Sequence, residues 1–211
     1  MSTRDEVLAR IRGALGDAPG AAPAVPRAYR RTGEHPPGSP RVIEQLVDRL
    51  EDYRATVIRS AADDESVGAA IATALADVEA TSSIAAPGVP EAWTAAAPGC
   101  RRDDGSATAR DLDLVDAVVT GSVAAVSETG TIILDGSPLC GRRMITLVPD
   151  VHICVVTLPS VVQTVPEGLA RLDPTRPLTF VSGPSATSDI ELSRVEGVHG
   201  PRTLVVVVVA G

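Results

Sequence analysis

The chain has 211 residues and a net charge of −8, and its 19 basic residues are all arginines. The absence of lysine excludes a pyridoxal phosphate enzyme, which needs a Schiff-base lysine, and a Walker A loop, which needs a lysine against the phosphates. The acidic balance and the scarcity of aromatic residues, 2% of the chain, argue against a nucleic-acid-binding protein.

The first 40 residues predict a helix followed by an extended arm. Thr3 and Glu6 have the spacing of a capping box, and apolar residues recur on one helix face between residues 7 and 15. Residues 17–40 are rich in Pro, Gly and Ala, which is typical of a linker. We therefore predict an N-terminal helix and arm at residues 1–40 and one folded domain at residues 41–211.

Strands and helices alternate after the arm. Ser39 and Pro40 suit the N-cap and first position of a helix, and further helices are predicted at 64–78, 90–96 and 167–172. Strands are predicted at 56–59, 83–86, 178–182 and 203–210. Residues 115–156 are rich in strand patterns joined by connections too short for helical crossovers, so part of the sheet should be antiparallel. The fold class is α/β, with a mixed sheet and flanking helices.

A first candidate site is the segment 127–131, between predicted strands at 124–126 and 132–134. As a hairpin turn it needs only a positive φ at Gly130. As a functional loop it presents Glu128 and the hydroxyls of Thr129 and Thr131 to a cleft. The local pattern leaves both interpretations open.

A second candidate site is the segment 182–191, which follows a predicted strand. Its small residues allow backbone N–H groups to approach an anion, and its hydroxyls add further donors. The alternative is a helix N-terminus, whose dipole favours acidic residues; the two interpretations are compatible. The candidate residues are Gly183, Pro184, Ser185, Thr187, Asp189 and Glu191.

Two arginines and two histidines complete the candidates. Arg142 and Arg143 are suited to binding a carboxylate or phosphate through paired N–H groups, although adjacent arginines in a turn are often simply solvated. His152 lies in a predicted strand and His199 in a Gly/Pro-containing segment. Their spacing to acidic residues does not enforce a metal site, so we predict no metal.

The remaining features predict a cytoplasmic protein. No apolar run reaches the roughly 20 residues of a membrane span, and the chain begins with a polar helix rather than a signal peptide. Cys100, Cys140 and Cys154 are odd in number and lack both CxxC and ferredoxin-type spacing, so they are expected to be reduced thiols. No cofactor is identifiable in this chain.

Four ordered motifs resemble one family. Residues 127–131 (SETGT) followed by 145–152 (ITLVPDVH), and 183–191 (GPSATSDIE) followed by 197–201 (GVHGP), are similar to the LUD domain of the lactate utilization protein C family. The resemblance runs from about Ala117 to the C-terminus. On this basis residues 41–211 are identified as a LUD domain.

The resemblance implies a three-layer Rossmann-like α/β fold of the NagB/RpiA/CoA transferase-like superfamily. In the CoA transferases a catalytic glutamate lies in a Ser-Glu-Asn-Gly loop. Residues 127–130 are similar and imply a catalytic role for Glu128, but Thr129 replaces the asparagine, which puts acyl transfer in doubt. His199 belongs to the fourth motif and is counted with the ligand-binding candidates.

The resemblance also implies partners. Proteins of this family work with two iron–sulfur proteins that together convert L-lactate to pyruvate, and this chain resembles the member without clusters. Iron–sulfur clusters are therefore expected in the partner proteins. The expected ligand of this chain is a small carboxylate or a nucleotide-like molecule.

Three hypotheses follow, and whether the chain is itself an enzyme stays open among them. The first is a subunit or accessory protein of an L-lactate dehydrogenase complex, with an anion at the carboxyl ends of the strands held by residues 183–187, faced by Glu128 and Thr129, and neutralised by Arg142 or Arg143. The second is a stand-alone isomerase or CoA-transferase-like enzyme using Glu128. The third is a non-enzymatic scaffold or ligand sensor that docks a partner through its N-terminal helix and arm.

Overall fold

The structure is a computed structural model that describes residues 2–16, 24–97, 99–187, 195–196 and 200–209, with only the backbone at 186–187 and 195–196. The chain forms two compact units, residues 1–30 and residues 31–211. The first unit contains helix α1 (Thr3–Leu15). Its capping box is formed by Ser2 and Asp5, one residue earlier than the predicted Thr3 and Glu6, because Ser2 has the extended backbone that an N-cap requires.

The second unit contains the remaining elements. Its helices are α2 (Pro40–Asp52), α3 (Asp64–Asp77), α4 (Glu91–Thr94), α5 (Ala109–Leu112) and α6 (Val165–Leu169), with a 3-10 turn at Leu158–Ser160. Its strands are β1 (Thr56–Ser60), β2 (Ser83–Ala85), β3 (Cys100–Arg102), β4 (Ala117–Gly121), β5 (Ala124–Val126), β6 (Thr131–Leu134), β7 (Val151–Thr157), β8 (Val161–Val162), β9 (Thr179–Val181), β10 (Ala186–Thr187), β11 (Val195–Glu196) and β12 (Thr203–Val209).

A six-stranded parallel sheet forms the centre of this unit. Its strand order is β1-β12-β7-β4-β2-β3, and each adjacent pair is parallel. Two of the four inner strands, β7 and β12, consist mainly of branched aliphatic residues, which suits strands covered on both faces. Val206 of β12 lies opposite Val57 on one side and Cys154 on the other.

Two apolar clusters cover the faces of the parallel sheet. On one face α3 packs Val67, Ile71 and Leu75 against the sheet. On the other face the apolar side of α2, including Leu46 and Leu50, packs against β12 and against the inner side of a second sheet. The resulting layers are helices, parallel sheet, and α2 with the second sheet, which confirms the predicted three-layer α/β fold.

The second sheet has the order β8-β5-β6-β9. Strand β6 is antiparallel to both β5 and β9, so the antiparallel pairing expected within residues 115–156 occurs here, in a sheet separate from the parallel one. Residues 143–147 form a turn rather than a strand. Their backbone bonds locally, with Leu147 N and Val148 N both donating to Met144 O.

The arm enters the second unit before the predicted boundary at residue 40. The backbone N–H groups of Glu34 and His35 donate to Oε1 of Gln163 at 2.7 and 3.0 Å, and Gly38 N donates to Val161 O at 2.9 Å. These bonds fix residues 34–38 beside β8.

Within the described ranges, none of the helices has the length and apolar character needed to cross a membrane.

Candidate ligand-binding site

The structure brings the segments 127–131 and 182–185 together at the C-terminal end of α2. Strands β6 and β9 pair, with Ile132 opposite Val181, and the hydroxyls of Thr131 and Ser182 lie 2.8 Å apart. Gly130 (φ 58°) packs so tightly on α2 that an added Cβ would lie 2.8 Å from the Cβ of Arg49. The two sequence motifs therefore belong to one region.

A cavity of about 290 Å³ opens beside this region. It lies between β9 of the second sheet and the amino ends of β7 and β12, whereas we expected a ligand at the carboxyl ends of the strands. None of its described lining residues is acidic. These residues are Arg143, Thr146, His152, Thr179, Phe180, Val181, Ser182, Gly183, Pro184, Ser185, Gly200, Pro201 and Leu204.

Arg143 supplies the positive charge of the cavity. Its Nη1 donates to Thr146 Oγ1 at 3.3 Å, and Thr146 Oγ1 donates back to Arg143 O at 3.1 Å. These bonds hold one edge of the guanidinium. A guanidinium has five N–H donors, and in the described part of the chain no carboxylate lies within ion-pair distance of Arg143. The cavity therefore suits an anion.

Ser185 and its neighbours form a second wall of the cavity. Gly183 has a φ of 86° and approaches Tyr53 so closely that an added Cβ would lie 2.7 Å from the Tyr53 Cβ. Ser185 N donates to Pro201 O at 2.8 Å. This bond places segment 183–185 against residues 200–201, which lie just before β12.

His152 lies in the wall formed by β7 and is 2% exposed. Its Nε2 is 2.8 Å from Thr120 Oγ1, and Thr120 lies on the neighbouring strand β4. Burial, together with the nearby charge of Arg143, lowers the pKa of His152 to about 4. The ring is therefore neutral at physiological pH.

The other predicted site residues are distributed more widely. Arg142 is paired with Asp103 through bonds of 2.8 and 2.9 Å, and Glu128 lies 3.4 Å from Gln163 Nε2. Thr129 is exposed, with its hydroxyl on Thr131. These predicted residues do not line the cavity. For Thr187 only the backbone is described, and Asp189, Glu191 and His199 lie outside the described residues.

The sequence pattern places His152 in a strand without assigning it to the site, and it does not single out Thr120 or Thr146. For His152 and Thr120 the sequence does contain a usable signal. His152 and Thr120 are polar residues within otherwise apolar, buried strands, and a buried polar group requires a partner. Among the described residues, no cluster of three or more His, Cys, Asp or Glu side chains could hold a metal ion.

The fold and the cavity define the class of this molecule: an α/β protein with a parallel sheet, a smaller antiparallel sheet packed beside it, and an arginine-lined cavity between them. The LUD domain family model matches residues 43–209. The chain belongs to the LUD domain family, and the resemblance in the four sequence motifs is thereby confirmed.

Curated proteins and a solved structure extend the likeness. A lactate utilization protein C from Deinococcus radiodurans is 46% identical over 80% of this chain and 79% of its own length. The lactate utilization protein C of Bacillus subtilis is 30% identical over a segment covering 47% of this chain and less than half, 44%, of that protein. The crystal structure of a DUF162 family protein from Deinococcus radiodurans has a TM-score of 0.68 and 40% identity, covering 81% of this chain and 97% of that one.

Proposed function

We propose that this chain is a component of a bacterial L-lactate oxidation system that converts lactate to pyruvate. The observation that carries the proposal is the 46% identity, over 80% of the chain, to a protein named lactate utilization protein C. The LUD domain match over residues 43–209 contains every described lining residue of the cavity. The chain acts in this system as the subunit or accessory protein that binds a small carboxylate.

The cavity supplies the binding site in this proposal. Arg143 binds the carboxylate group through the N–H donors that Thr146 does not use, because a guanidinium can present two parallel donors to a carboxylate. Ser182 and Ser185 also line the cavity and add polar groups to it. A volume of about 290 Å³ is at the small end of the range for ligand pockets, which suits a short organic acid.

The electrons leave lactate through partner proteins in this proposal. Oxidation of the hydroxyl to a carbonyl releases two electrons and two protons, and iron–sulfur clusters in the partners accept the electrons. This chain contributes the binding and orientation of the acid. The proposal rests on the family likeness and on the charge of the cavity.

Genetic replacement in the native host tests the proposal. We expect deletion of the gene to abolish growth on L-lactate as sole carbon source, the native gene to restore growth, and Arg143→Gln to restore it poorly, because loss of a charged hydrogen bond to a carboxylate costs tenfold or more in affinity. Arg110→Gln removes an exposed arginine of α5 and should restore growth fully. Growth is measured against the same strains on glucose.

Two results would overturn the proposal. Unimpaired growth of the deletion strain on L-lactate would show that lactate oxidation does not require this chain. Equal rescue by both arginine variants, at equal protein abundance, would show that Arg143 does not bind the carboxylate.

A tagged native chain purified under anaerobic lysis should in addition recover iron–sulfur proteins.

A further inference from the structure

A series of hydrogen-bonded polar groups leads from the cavity into the core of the domain. His152 Nε2 lies 2.8 Å from Thr120 Oγ1, Thr120 Oγ1 lies 3.7 Å from Cys154 Sγ, and Cys154 Sγ lies 3.6 Å from Gly121 O. Thr120 and Cys154 are fully buried. Burial also raises the pKa of Cys154 to about 12, so its thiol keeps its proton.

The donor and acceptor roles in this series can be followed from its last group, Gly121 O. A backbone carbonyl can only accept, so the Cys154 thiol donates to Gly121 O and its sulfur is left to accept from the Thr120 hydroxyl. With the Thr120 proton directed to the sulfur, the Thr120 oxygen accepts from His152, and the single proton of the neutral imidazole is then on Nε2; a proton on Nδ1 would reverse this bond. In that tautomer Nδ1 carries the lone pair; His152 lines the cavity, and Nδ1 is the ring nitrogen that the contact with Thr120 does not use.

A hydrogen-bond acceptor beside an arginine matches one class of small acid. A 2-hydroxy carboxylate has an anionic group for the guanidinium and, on the adjacent carbon, a hydroxyl that can donate. The corresponding 2-oxo acid presents a carbonyl oxygen there, which faces the imidazole lone pair without a proton between them. An unsubstituted carboxylate leaves Nδ1 without a partner, which is costly for a buried polar atom.

We propose that Nδ1 of His152 accepts the hydroxyl proton of a 2-hydroxy carboxylate in a hydrogen bond while Arg143 binds its carboxylate group, so that the cavity selects 2-hydroxy acids over 2-oxo acids and unsubstituted acids. This inference rests on the proposed carboxylate site and adds its selectivity. His152 is thereby a specificity-determining residue, and Thr120 positions it by fixing the proton on Nε2.

Binding of three acids to the full chain tests this role. L-lactate, pyruvate and propionate are titrated separately by calorimetry at neutral pH. We expect L-lactate to bind about tenfold more tightly than either of the others, the value for one hydrogen bond of about 1.4 kcal/mol. Independently of any ligand, the ring nitrogen resonances of His152 should show a protonated Nε2 and an unprotonated Nδ1.

Two substitutions separate the two ring nitrogens. His152→Gln places an amide near the Nε2 position, where it can bond Thr120, but offers no acceptor at the Nδ1 position; the preference for L-lactate over propionate should disappear. His152→Asn places its amide oxygen near the Nδ1 position and should retain part of the preference. Circular dichroism and propionate binding, which needs Arg143 only, report whether each variant keeps its fold and its site.

The outcomes distinguish this inference from the proposed function. If none of the three acids binds the native chain, both the carboxylate site and its selectivity are wrong. If all three bind equally and Arg143→Gln abolishes binding, only the role of His152 is wrong. A proton on Nδ1, or a lactate preference that survives in His152→Gln, also overturns it. The nitrogen resonances are measured on the native chain, so they test the role of His152 even if both variants unfold.

Discussion

Arg142 and Arg143 are adjacent in the sequence but serve different parts of the molecule. The Arg142 guanidinium forms two bonds to the nearly buried Asp103 carboxylate and a third to Ala107 O at 2.8 Å. Arg143 instead lines the cavity. One arginine joins two loops, and the other is available to a ligand.

Replacing Arg142 tests this division at the level of stability. In Arg142→Gln the Asp103 carboxylate stays largely buried without its charged partner, and we expect the free energy of unfolding to fall by about 2–4 kcal/mol. Urea unfolding measures the change, with Arg110→Gln as the exposed control. A loss below about 0.5 kcal/mol would show that Asp103 is solvated and the pair dispensable.

The same pair gives a pH dependence of defined sign. The Arg142 guanidinium lowers the pKa of Asp103 in the folded chain. A carboxyl with a lowered folded-state pKa contributes stability that is complete above its unfolded value of about 3.9 and is lost as the pH falls through the folded value. The native chain should therefore lose more stability than Arg142→Gln on acidification below pH 4.

Residue types alone could not separate the two arginines. Both have the chemistry of an anion clamp, and the distinction depends on Asp103, which lies 39 positions away in sequence. Glu128 is a similar case, because its carboxylate meets Gln163, which follows β8 and lies 35 positions away in sequence. Local spacing predicts which residues are near a turn but not which long-range partner each side chain meets.

At the scale of elements, the contact between α2 and the second sheet depends on glycine. Gly130 has a φ of 58° and an added Cβ would lie 2.8 Å from the Arg49 Cβ and 3.2 Å from its carbonyl oxygen. Gly183 makes the same kind of approach to Tyr53. Both glycines therefore allow the loops at the ends of β5 and β9 to reach the last turn of α2.

Alanine substitutions can separate backbone strain from steric conflict. Gly130→Ala combines a positive φ with the clash against Arg49, and we expect a loss of about 2–4 kcal/mol in unfolding free energy. Gly105 also has a positive φ, 86°, but an added Cβ meets nothing within 4 Å, so Gly105→Ala should lose only about 1 kcal/mol. Equal losses in the two variants would mean that the loop moves away from α2 without cost.

The periodic elements were predictable, and the short ones were not. Helices α2 and α3 and strand β12 have strong apolar patterns and lie close to their predicted positions. Strand β8 has only two residues, too few to show a period. Residues 145–148 are mainly apolar and lie in a region whose pattern predicts strands, but they lie in a turn and bend in which Ile145 is buried and the backbone bonds locally.

At the scale of the whole molecule, the apolar clusters define what must be present for folding. The three clusters are built from residues between Val42 and Val209, and the described residues of α1 include none that is buried. The arm residues 34–38, by contrast, bond to Gln163 and Val161. The predicted boundary at residue 40 would cut through these bonds.

Two truncations test where the folded unit begins. A chain starting at Arg31 should melt within about 2 °C of the full chain, because no cluster residue is removed. A chain starting at Ser39 loses both donors to the buried Gln163 Oε1, which should cost about 1–3 kcal/mol and lower the melting temperature by several degrees. Equal melting temperatures for the two truncations would support the boundary at residue 40 instead.

The position of β12 determines the order in which the chain can fold during synthesis. This strand lies between β1 and β7, yet it is made about 140 residues after β1. At ordinary rates of translation, roughly 10 s pass between the synthesis of β1 and that of β12, its only sheet neighbour within the described residues. During that interval the edges of β1 and β7 that will face β12 stay unpaired. The nascent chain therefore exposes strand edges that can pair with other chains until β12 is inserted between them.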